Sequence, residues 1–237
     1  MRINRLFTDL GICSRREADR HVADGRVRIN DRIAIPGDQV GADDKVYFDG
    51  KLVTSQKTEH VVIAYHKPVG VECTSDPRIE DNIIKAVNYP ERLFHIGRLD
   101  KMSEGLILLT NIGDLVNAVL RKVHGHEKEY LVWLNGPITK QKVGELRRGI
   151  HLEDGKTLPC KITQLAEDKL LMVLIEGRNR QIRRMVEAVG LRVSRLKRVR
   201  FMHIKLGSIP VGQWKKIEGS NLRQLLNDAK IQLGSEP

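Results

Sequence analysis

One carboxylate, Asp100, lies between two cations, Arg98 and Lys101, in a segment flanked by glycines. The apolar run at residues 106–109 follows it and predicts a buried strand. A side chain at the end of such a strand has a fixed position, so Asp100 could take part in chemistry. The same three charges could instead be solvated residues of an ordinary turn, and this segment alone supports both hypotheses.

The neighbouring segments predict the scaffold that would hold this carboxylate. The pattern predicts a strand at residues 61–65, a turn at 66–70, a short helix at 82–87, helices at 115–120 and 139–148, and strands at 127–134, 161–163 and 170–175. Asp114 is placed to cap the helix over residues 115–120. Together these elements indicate an α+β domain with a mixed, mostly antiparallel sheet and flanking helices.

An aromatic side chain lies in the strand predicted at residues 127–134. Charged and apolar residues alternate there, which suits a strand with one buried face. Tyr130 points to the same side as Val132 and Leu134. It could therefore be a core aromatic, or it could face a site beside the sheet.

Residues 178–200 form the densest basic segment, with nine Lys and Arg residues and one acid, Glu187. Ile182, Met185, Val186 and Val189 recur at helical spacing and predict an amphipathic helix. An arginine drawn toward the buried side of that helix would need an anionic partner. Asp100 is the candidate for that partner.

The first 50 residues predict a separate small module. A helix is expected over residues 3–10, and a second one opens at Ser14, which has the spacing of a capping box with Glu17. Short strands are expected at residues 27–29, around residue 33 and at 46–48. Arg15, Arg16 and Arg20 can share one side of the second helix, where guanidinium groups could bind phosphates. A solvated helix face would explain the same charges.

Composition points to a polyanionic partner. The chain has 237 residues, a formal net charge of +11 and a pI near 9.7, so nucleic acid is expected before a membrane surface. The longest apolar runs fall far short of the roughly 20 residues of a spanning helix. The N-terminus lacks the apolar region of a secretory signal, so we expect a cytoplasmic protein without a membrane partner.

The cysteine and histidine pattern predicts no metal site. Cys13, Cys73 and Cys160 are isolated in the sequence, without the spacing of a zinc site or of a disulfide framework. His124 and His126 form a lone H-x-H pair in a polar segment, which is typical of a loop. We therefore expect no metal.

Polar residues without periodicity at 51–59 predict a linker between the N-terminal module (residues 1–50) and a second domain (residues 60–237). An amphipathic helix is expected at residues 222–233 in the tail. We expect the protein to be a monomer.

The N-terminal module resembles the RNA-binding module named after a small-subunit ribosomal protein, the S-four type. The resemblance is carried by four stretches: INRL at residues 3–6, GICSRREA at 11–18, GRVRIN at 25–30, and GD at 37–38.

The whole chain resembles the bacterial RNA pseudouridine synthases of the RsuA/RluB/RluE/RluF family. Four ordered motifs carry the resemblance: HKPVG at residues 66–70, GRLD at 97–100, KEYLV at 128–132 and GRNRQIRRM at 177–185. It implies the pseudouridine synthase fold and the isomerisation of uridine to pseudouridine in RNA. This reaction has no redox change and no group donor, so the resemblance also implies no cofactor.

The resemblance also implies roles for individual residues. Asp100 would be the catalytic aspartate, Tyr130 would pack against the target base, and Arg183 would pair with Asp100. Arg98 would fill the space of the flipped nucleotide, and Leu99 and Ile182 would line the pocket. Asp100 could attack C1′, attack C6 of the base, or remove a proton from C2′.

The expected partner is a structured RNA: a stem-loop of the large-subunit rRNA, with tRNA as a second or alternative substrate. The expected RNA contacts come from both basic regions and the motif at residues 66–70: Arg5, Arg15, Arg16, Arg20, Lys67, Arg178, Arg180 and Arg184. A non-catalytic RNA-binding or ribosome-assembly protein is the rival hypothesis. A DNA-binding protein is a third, although the sequence has no helix-turn-helix or zinc-finger pattern.

Overall fold

The computed structural model describes residues 1–41, 43–53, 59–120 and 125–231. The chain divides into two compact units, Met1–His60 with Asn111–Gly113, and Val61–Thr110 with Asp114–Pro237. Five residues of the predicted linker, 54–58, lie outside the described residues. Lys51 and Leu52 form a strand, so the linker prediction is wrong for these two residues.

The first unit combines two helices with one antiparallel sheet. The helices are α1 (Ile3–Asp9) and α2 (Arg15–Ala23), and the strands are β1 (Val27–Ile29), β2 (Arg32–Ile33), β3 (Val46–Phe48) and β4 (Lys51–Leu52), in the order β2-β1-β3-β4. Apolar side chains of both helices and of β1 and β3 form one buried cluster. The predicted capping box is confirmed, because Ser14 and Glu17 each accept a hydrogen bond from the other's backbone N–H.

The second unit is built on one large sheet. Its strands are β5 (Val62–Lys67), β6 (Phe94–Ile96), β7 (Glu104–Thr110), β8 (Lys128–Leu134), β11 (Lys161–Ala166), β12 (Lys169–Leu174), β13 (Val193–Phe201), β14 (Ile204–Lys205) and β15 (Trp214–Lys216), and a separate hairpin holds β9 (His151–Leu152) and β10 (Gly155–Lys156). The sheet order is β11-β12-β8-β13-β7-β5-β15, with β14 beside β13 and β6 beside β7. β13 and β7 are parallel, and the other described pairs are antiparallel. The predicted α+β fold with a mixed, mostly antiparallel sheet is confirmed.

Five helices accompany this sheet: α3 (Ile83–Val87), α4 (Gly113–Leu120), α5 (Lys140–Arg148), α6 (Gln181–Ala188) and α7 (Gly219–Asp228). Helices α5 and α6 pack on β8, β12 and β13 in one buried cluster. Helix α3 packs on β5 and β7 in a second cluster. Tyr130 contacts both clusters, so it lies where the two halves of this face meet. No helix in the described ranges is long and apolar enough to cross a membrane.

Three predicted boundaries need correction. Asp114 is the second residue of α4 rather than its cap, where its carboxylate still interacts favourably with the helix N-terminus. Residues 66 and 67, predicted in a turn, continue β5. The tail helix begins at Gly219 and ends at Asp228, and the end of the predicted helix at residues 232–233 lies outside the described residues.

β7 and β13 approach each other closely at Gly105. This residue has φ +110°, and a Cβ placed on it would lie 2.2 Å from the carbonyl oxygen of Arg198. Gly105 pairs with Arg198 in the parallel register. A side chain at residue 105 would therefore separate the two strands that join the halves of the sheet.

We expect Gly105→Ala to lower the free energy of unfolding by about 3 kcal/mol or more, because backbone strain and overpacking add. Gly207→Ala is the matched control: Gly207 also has a positive φ, +56°, but no atom of the described residues lies within 4 Å of the position that its Cβ would take. The control should lose only about 1 kcal/mol. Urea unfolding measures both, and equal losses would contradict the close approach.

Lys67, the last residue of β5, has a wholly buried side chain. Its ammonium donates to the carbonyl oxygens of Pro68 and Lys101, at 2.7 and 3.4 Å. Burial lowers the pKa of Lys67 to about 8, against the smaller opposing effects of Cys73 and nearby carboxylates. Because a phosphate cannot reach this ammonium, the predicted role of Lys67 in RNA binding is wrong. Its side chain instead ties β5 to the segment that contains Lys101.

The buried lysine predicts a pH dependence of stability. An unfolded chain holds this proton up to about pH 10.4, whereas the folded protein releases it near pH 8. Between these values the unfolded state binds more protons, so Lys67 makes the free energy of unfolding rise with pH, by about 1.4 kcal/mol per unit at most.

Lys67→Met removes that contribution, so we expect the stability of the variant relative to wild type to fall between about pH 7 and about pH 9.5 in urea unfolding. The same exchange at the exposed Lys85 is the control. A difference between wild type and Lys67→Met that did not change with pH would show that Lys67 titrates normally.

Candidate active site

The segment that carries Asp100 is held at several points. The backbone N–H of Ser103 donates to the carbonyl of Asp100 at 3.0 Å, and that of Gly70 donates to the carbonyl of Lys101 at 2.9 Å. The backbone N–H of Leu99 donates to Sγ of Cys73 at 3.3 Å. The segment, named here the aspartate loop (residues 97–103), thus joins β7 in a fixed conformation.

Arg183 reaches the aspartate loop from α6. Its Nε lies 4.0 Å from Oδ2 of Asp100. Its Nη2 donates to the carbonyl of Met102 at 2.9 Å and to the Ser103 hydroxyl at 3.4 Å. Burial is the largest influence on this guanidinium and lowers the pKa of Arg183. The structure thus brings together the two residues that the sequence placed as partners.

Asp100 borders a cavity of about 990 Å³, and every described residue that lines this cavity belongs to the second unit. Asp100 lines it and keeps 31% of its side chain exposed. The cavity is also lined by the other predicted pocket residues: Arg98, Leu99, Tyr130 and Ile182. Leu99 and Ile182 are buried, whereas Arg98 is exposed. A carboxylate, an aromatic ring and apolar walls therefore meet in one space large enough for a nucleotide.

Two further carboxylates line this cavity, and both are engaged by the protein. Asp154 accepts two hydrogen bonds from Arg184, at 2.8 and 3.1 Å. Glu176 accepts from Arg178, from Gln181 and from a backbone N–H. The Asp100 carboxylate accepts no hydrogen bond from the described residues and lies 4.0 Å from Nε of Arg183, so it is the best placed of the three to bind a substrate.

The arginines of the second basic segment that we predicted to contact RNA differ in whether their guanidinium groups already bind other parts of the protein. Arg178 donates to the carbonyls of Asp154, Gly155 and Lys156. Together with Arg184 it fixes the β9–β10 hairpin at the cavity rim. Their guanidinium groups are occupied inside the protein, which disfavours the predicted role of both in phosphate binding. Arg180 is exposed and lines the cavity.

The predicted contacts of the first unit lie on its helices. Arg15, Arg16 and Arg20 are exposed on α2. Arg5, on α1, forms an ion pair with Asp9 at 3.2 Å. The α2 arginines can therefore present their charges to solvent.

The sequence analysis missed two cations of the cavity, Lys128 and Arg198. Lys128 could have been found, because it precedes Tyr130 by two residues and must share its face of the strand. Arg198 could not, because its position depends on the pairing of β13 with β8, where it lies opposite Tyr130.

No group of three or more His, Cys, Asp or Glu side chains among the described residues is arranged to hold a metal ion. His124, one of the two histidines considered above, lies outside the described residues.

Comparison with known proteins matches both units. Residues 1–46 match the S4 domain, and residues 61–188 match the RNA pseudouridylate synthase family. The dual-specificity RNA pseudouridine synthase RluF of Escherichia coli strain K12 is 43% identical over 226 residues, which cover 95% of this chain and 78% of that protein. The ribosomal large subunit pseudouridine synthase B of Bacillus subtilis strain 168 is 32% identical, with 94% and 95% covered.

The resemblance to RluF is also carried by residues 11–20, 113–117 and 126–130, and the 43% identity confirms it. A solved structure, described as a crystal structure of pseudouridylate synthase, superposes with a TM-score of 0.70 at 28% identity and covers 95% of this chain and 99% of its own. The fold, the S4 match and the family match agree over nearly the whole sequence. The chain therefore belongs to the RNA pseudouridylate synthase family and is an enzyme that isomerises uridine to pseudouridine in RNA.

Proposed function

We propose that the chain modifies a uridine in a stem-loop of the large-subunit (23S) rRNA, with tRNA as a second or alternative substrate, and that it acts as a monomer. The similarity to RluF, named as a dual-specificity RNA enzyme, and to a ribosomal large subunit synthase supports this choice of substrates. Incubation of the protein with 23S rRNA and with tRNA, followed by mapping of new pseudouridines, tests it. Product in neither RNA would contradict it.

We propose Asp100 as the catalytic aspartate. The observation that supports it is that the Asp100 carboxylate accepts no hydrogen bond from the described residues and lies 4.0 Å from Nε of Arg183, whereas Asp154 and Glu176 each accept hydrogen bonds from an arginine. The reaction breaks the N1–C1′ bond and joins C5 to C1′, so a positioned carboxylate can serve as nucleophile or base. Arg183 compensates the charge of Asp100 and holds the loop that carries it.

The remaining pocket residues would bind the extruded uridine. Tyr130, Leu99 and Ile182 offer an aromatic ring and apolar side chains on which a base can pack. The uridine must leave its stack, which costs a few kcal/mol. Arg98, which is exposed and lines the cavity, would occupy the space that the base vacates.

The first unit would bind RNA away from the cavity. It matches the S4 domain and exposes three arginines on α2. Phosphate contacts from such a surface add affinity without base specificity. The chain would thus separate RNA binding in residues 1–50 from chemistry in residues 60–237.

We expect Asp100→Asn to abolish pseudouridine formation, by at least about 10⁴-fold, because a neutral amide can neither attack nor accept the proton. RNA affinity should change by less than about tenfold, since Asp100 contributes no phosphate contact. Lys101→Gln is the matched control, because exposed Lys101 is adjacent in sequence and pairs only with Asp81 at 3.6 Å among the described residues. Single-turnover assays on one RNA measure the rates of the wild type and of both variants. Full activity of Asp100→Asn would refute the assignment of Asp100 as the catalytic aspartate.

We expect the double substitution Arg15→Gln, Arg16→Gln to weaken RNA binding and to reduce the slope of log K against log salt by about 2, one for each lost phosphate contact. The single-turnover rate at saturating RNA should stay unchanged. Arg32→Gln is the control, because Arg32 is committed to Asp38 in the same unit. Salt titrations of RNA binding measure the slopes, and equal slopes for all three proteins would rule out α2 as a phosphate-binding surface.

A further inference from the structure

Two cations lie side by side on the floor of the cavity, on the face that also carries Tyr130. Lys128 and Tyr130 are two residues apart on β8, and Arg198 pairs with Tyr130 from β13. Both Lys128 and Arg198 line the cavity. The ammonium of Lys128 and the guanidinium of Arg198 both lie near the ring of Phe201, at 5.8 and 5.3 Å from its centre. Both cations therefore line the cavity and lie near the same aromatic ring.

Neither cation has an anionic partner in the described part of the chain. Arg198 donates from Nε to the carbonyl of Leu106 at 2.6 Å, and Lys128 donates to the carbonyl of His126 at 3.1 Å. No carboxylate of the described residues lies within 4.0 Å of either group. Carbonyl oxygens and an aromatic ring stabilise cations only partly, so a net positive charge remains in the cavity wall.

Arg198 also has an unused donor. It is only 2% exposed, and its Nη2 has no hydrogen-bond partner among the described residues. A buried donor without a partner costs about 1–3 kcal/mol, and more when the group is charged. Such a donor at a cavity wall is typical of a site that a ligand completes.

The nearest acid that influences Lys128 is Glu176, and it is already engaged. Its carboxylate accepts from Arg178, from Gln181 and from the backbone N–H of Leu158. Burial, followed by the charge of Arg198, lowers the pKa of Lys128 to about 8, and Glu176 opposes this only weakly. The positive pair therefore repels itself in the absence of a ligand.

We propose that Lys128 and Arg198 form an anion subsite inside the cavity that binds a negatively charged oxygen of the target nucleotide. This inference rests on the proposed function, because it places the target uridine beside Tyr130. Preorganised donors of this kind stabilise charge most effectively in a site that excludes water.

Two oxygens of the substrate could carry that charge. One belongs to the RNA phosphate next to the flipped uridine. The other belongs to the uracil ring, because heterolysis of the N1–C1′ bond leaves the bonding electron pair on uracil, where N1, O2 and O4 share the negative charge. C1′ is then satisfied by an electron pair from the Asp100 carboxylate, or from the C2′–H bond as Asp100 takes that proton. When C5 attacks C1′, the first route releases the Asp100 carboxylate, and in the second route Asp100 returns its proton to C2′. C5 then loses its proton and N1 gains one, so atoms and charge balance.

The test compares Lys128→Gln, Arg198→Met and Arg198→Lys with wild type, on a stem-loop RNA that the wild-type enzyme converts. Lys169→Gln is the matched control, because Lys169 lies on the neighbouring strand β12 and contacts Trp133 instead of lining the cavity. Single-turnover rate and RNA affinity are measured separately, and thermal unfolding checks that each variant folds. Lys128→Gln decides the question if Arg198→Met is too unstable, because Lys128 is only half-buried.

If the subsite binds the negative charge of the uracil ring, the single-turnover rate of Lys128→Gln should fall roughly 10²-fold while its RNA affinity stays unchanged. The loss should be smaller on RNA with 5-fluorouridine at the target, whose leaving anion is less basic. Because this base has no C5 proton to lose, the rate followed there is the disappearance of 5-fluorouridine, which reports cleavage of the N1–C1′ bond. If the phosphate is bound, RNA affinity should fall instead, and a neutral methylphosphonate at that position should weaken wild type but not the variant. Arg198→Lys, which keeps the charge, should lose less than Arg198→Met in either case.

Rate and affinity within twofold of wild type in both Lys128→Gln and a folded Arg198→Met would overturn the subsite. That result would leave the proposed function intact, because Asp100→Asn tests it independently. Conversely, activity in Asp100→Asn would refute the catalytic assignment whatever the two cation variants do.

Discussion

The close contact between β7 and β13 at Gly105 is the constraint on which the site depends. β7 leads directly from the aspartate loop, whereas β13 and its neighbour β8 carry Arg198 and Tyr130. Among the described strands, the two halves of the sheet are hydrogen-bonded to each other through this parallel pair. A backbone that approaches within van der Waals contact fixes their distance more tightly than side chains could. The distance between the Asp100 carboxylate and Tyr130 therefore depends on this contact between the two strands.

Sequence reasoning succeeded where the chemistry-bearing residues were contiguous or followed a helical repeat. Asp100 became a candidate through its place before a buried strand, and the amphipathic helix predicted that one of its arginines would need an anionic partner. The choice of Arg183 and the catalytic role of Asp100 came from the family resemblance. Sequence reasoning failed where the outcome depended on register between distant strands, as for Arg198. It also failed for Lys67, since a lysine next to a proline and a glycine is typical of an exposed turn, and its carbonyl partners include one 34 residues away.

The net charge of the chain overstates the number of Lys and Arg side chains that can contact RNA. Arg178 and Arg184 fasten the β9–β10 hairpin, Arg200 is paired with Glu127 and Glu129, and Arg195 with Glu104. These ion pairs are part of the fold, and their charges are compensated locally. The overall charge of +11 can still attract a polyanion over a distance. Local contacts then depend on the smaller set of cations that face solvent or the cavity.

Each unit closes its own hydrophobic core: one cluster lies within residues 1–53, and two others lie within the second unit. The described residues that line the cavity all belong to the second unit. Substitutions on α2 can therefore accumulate without disturbing the aspartate loop, and the reverse also holds. In evolutionary terms, such a chain can change the charge and shape of its N-terminal surface while the isomerisation chemistry is inherited unaltered.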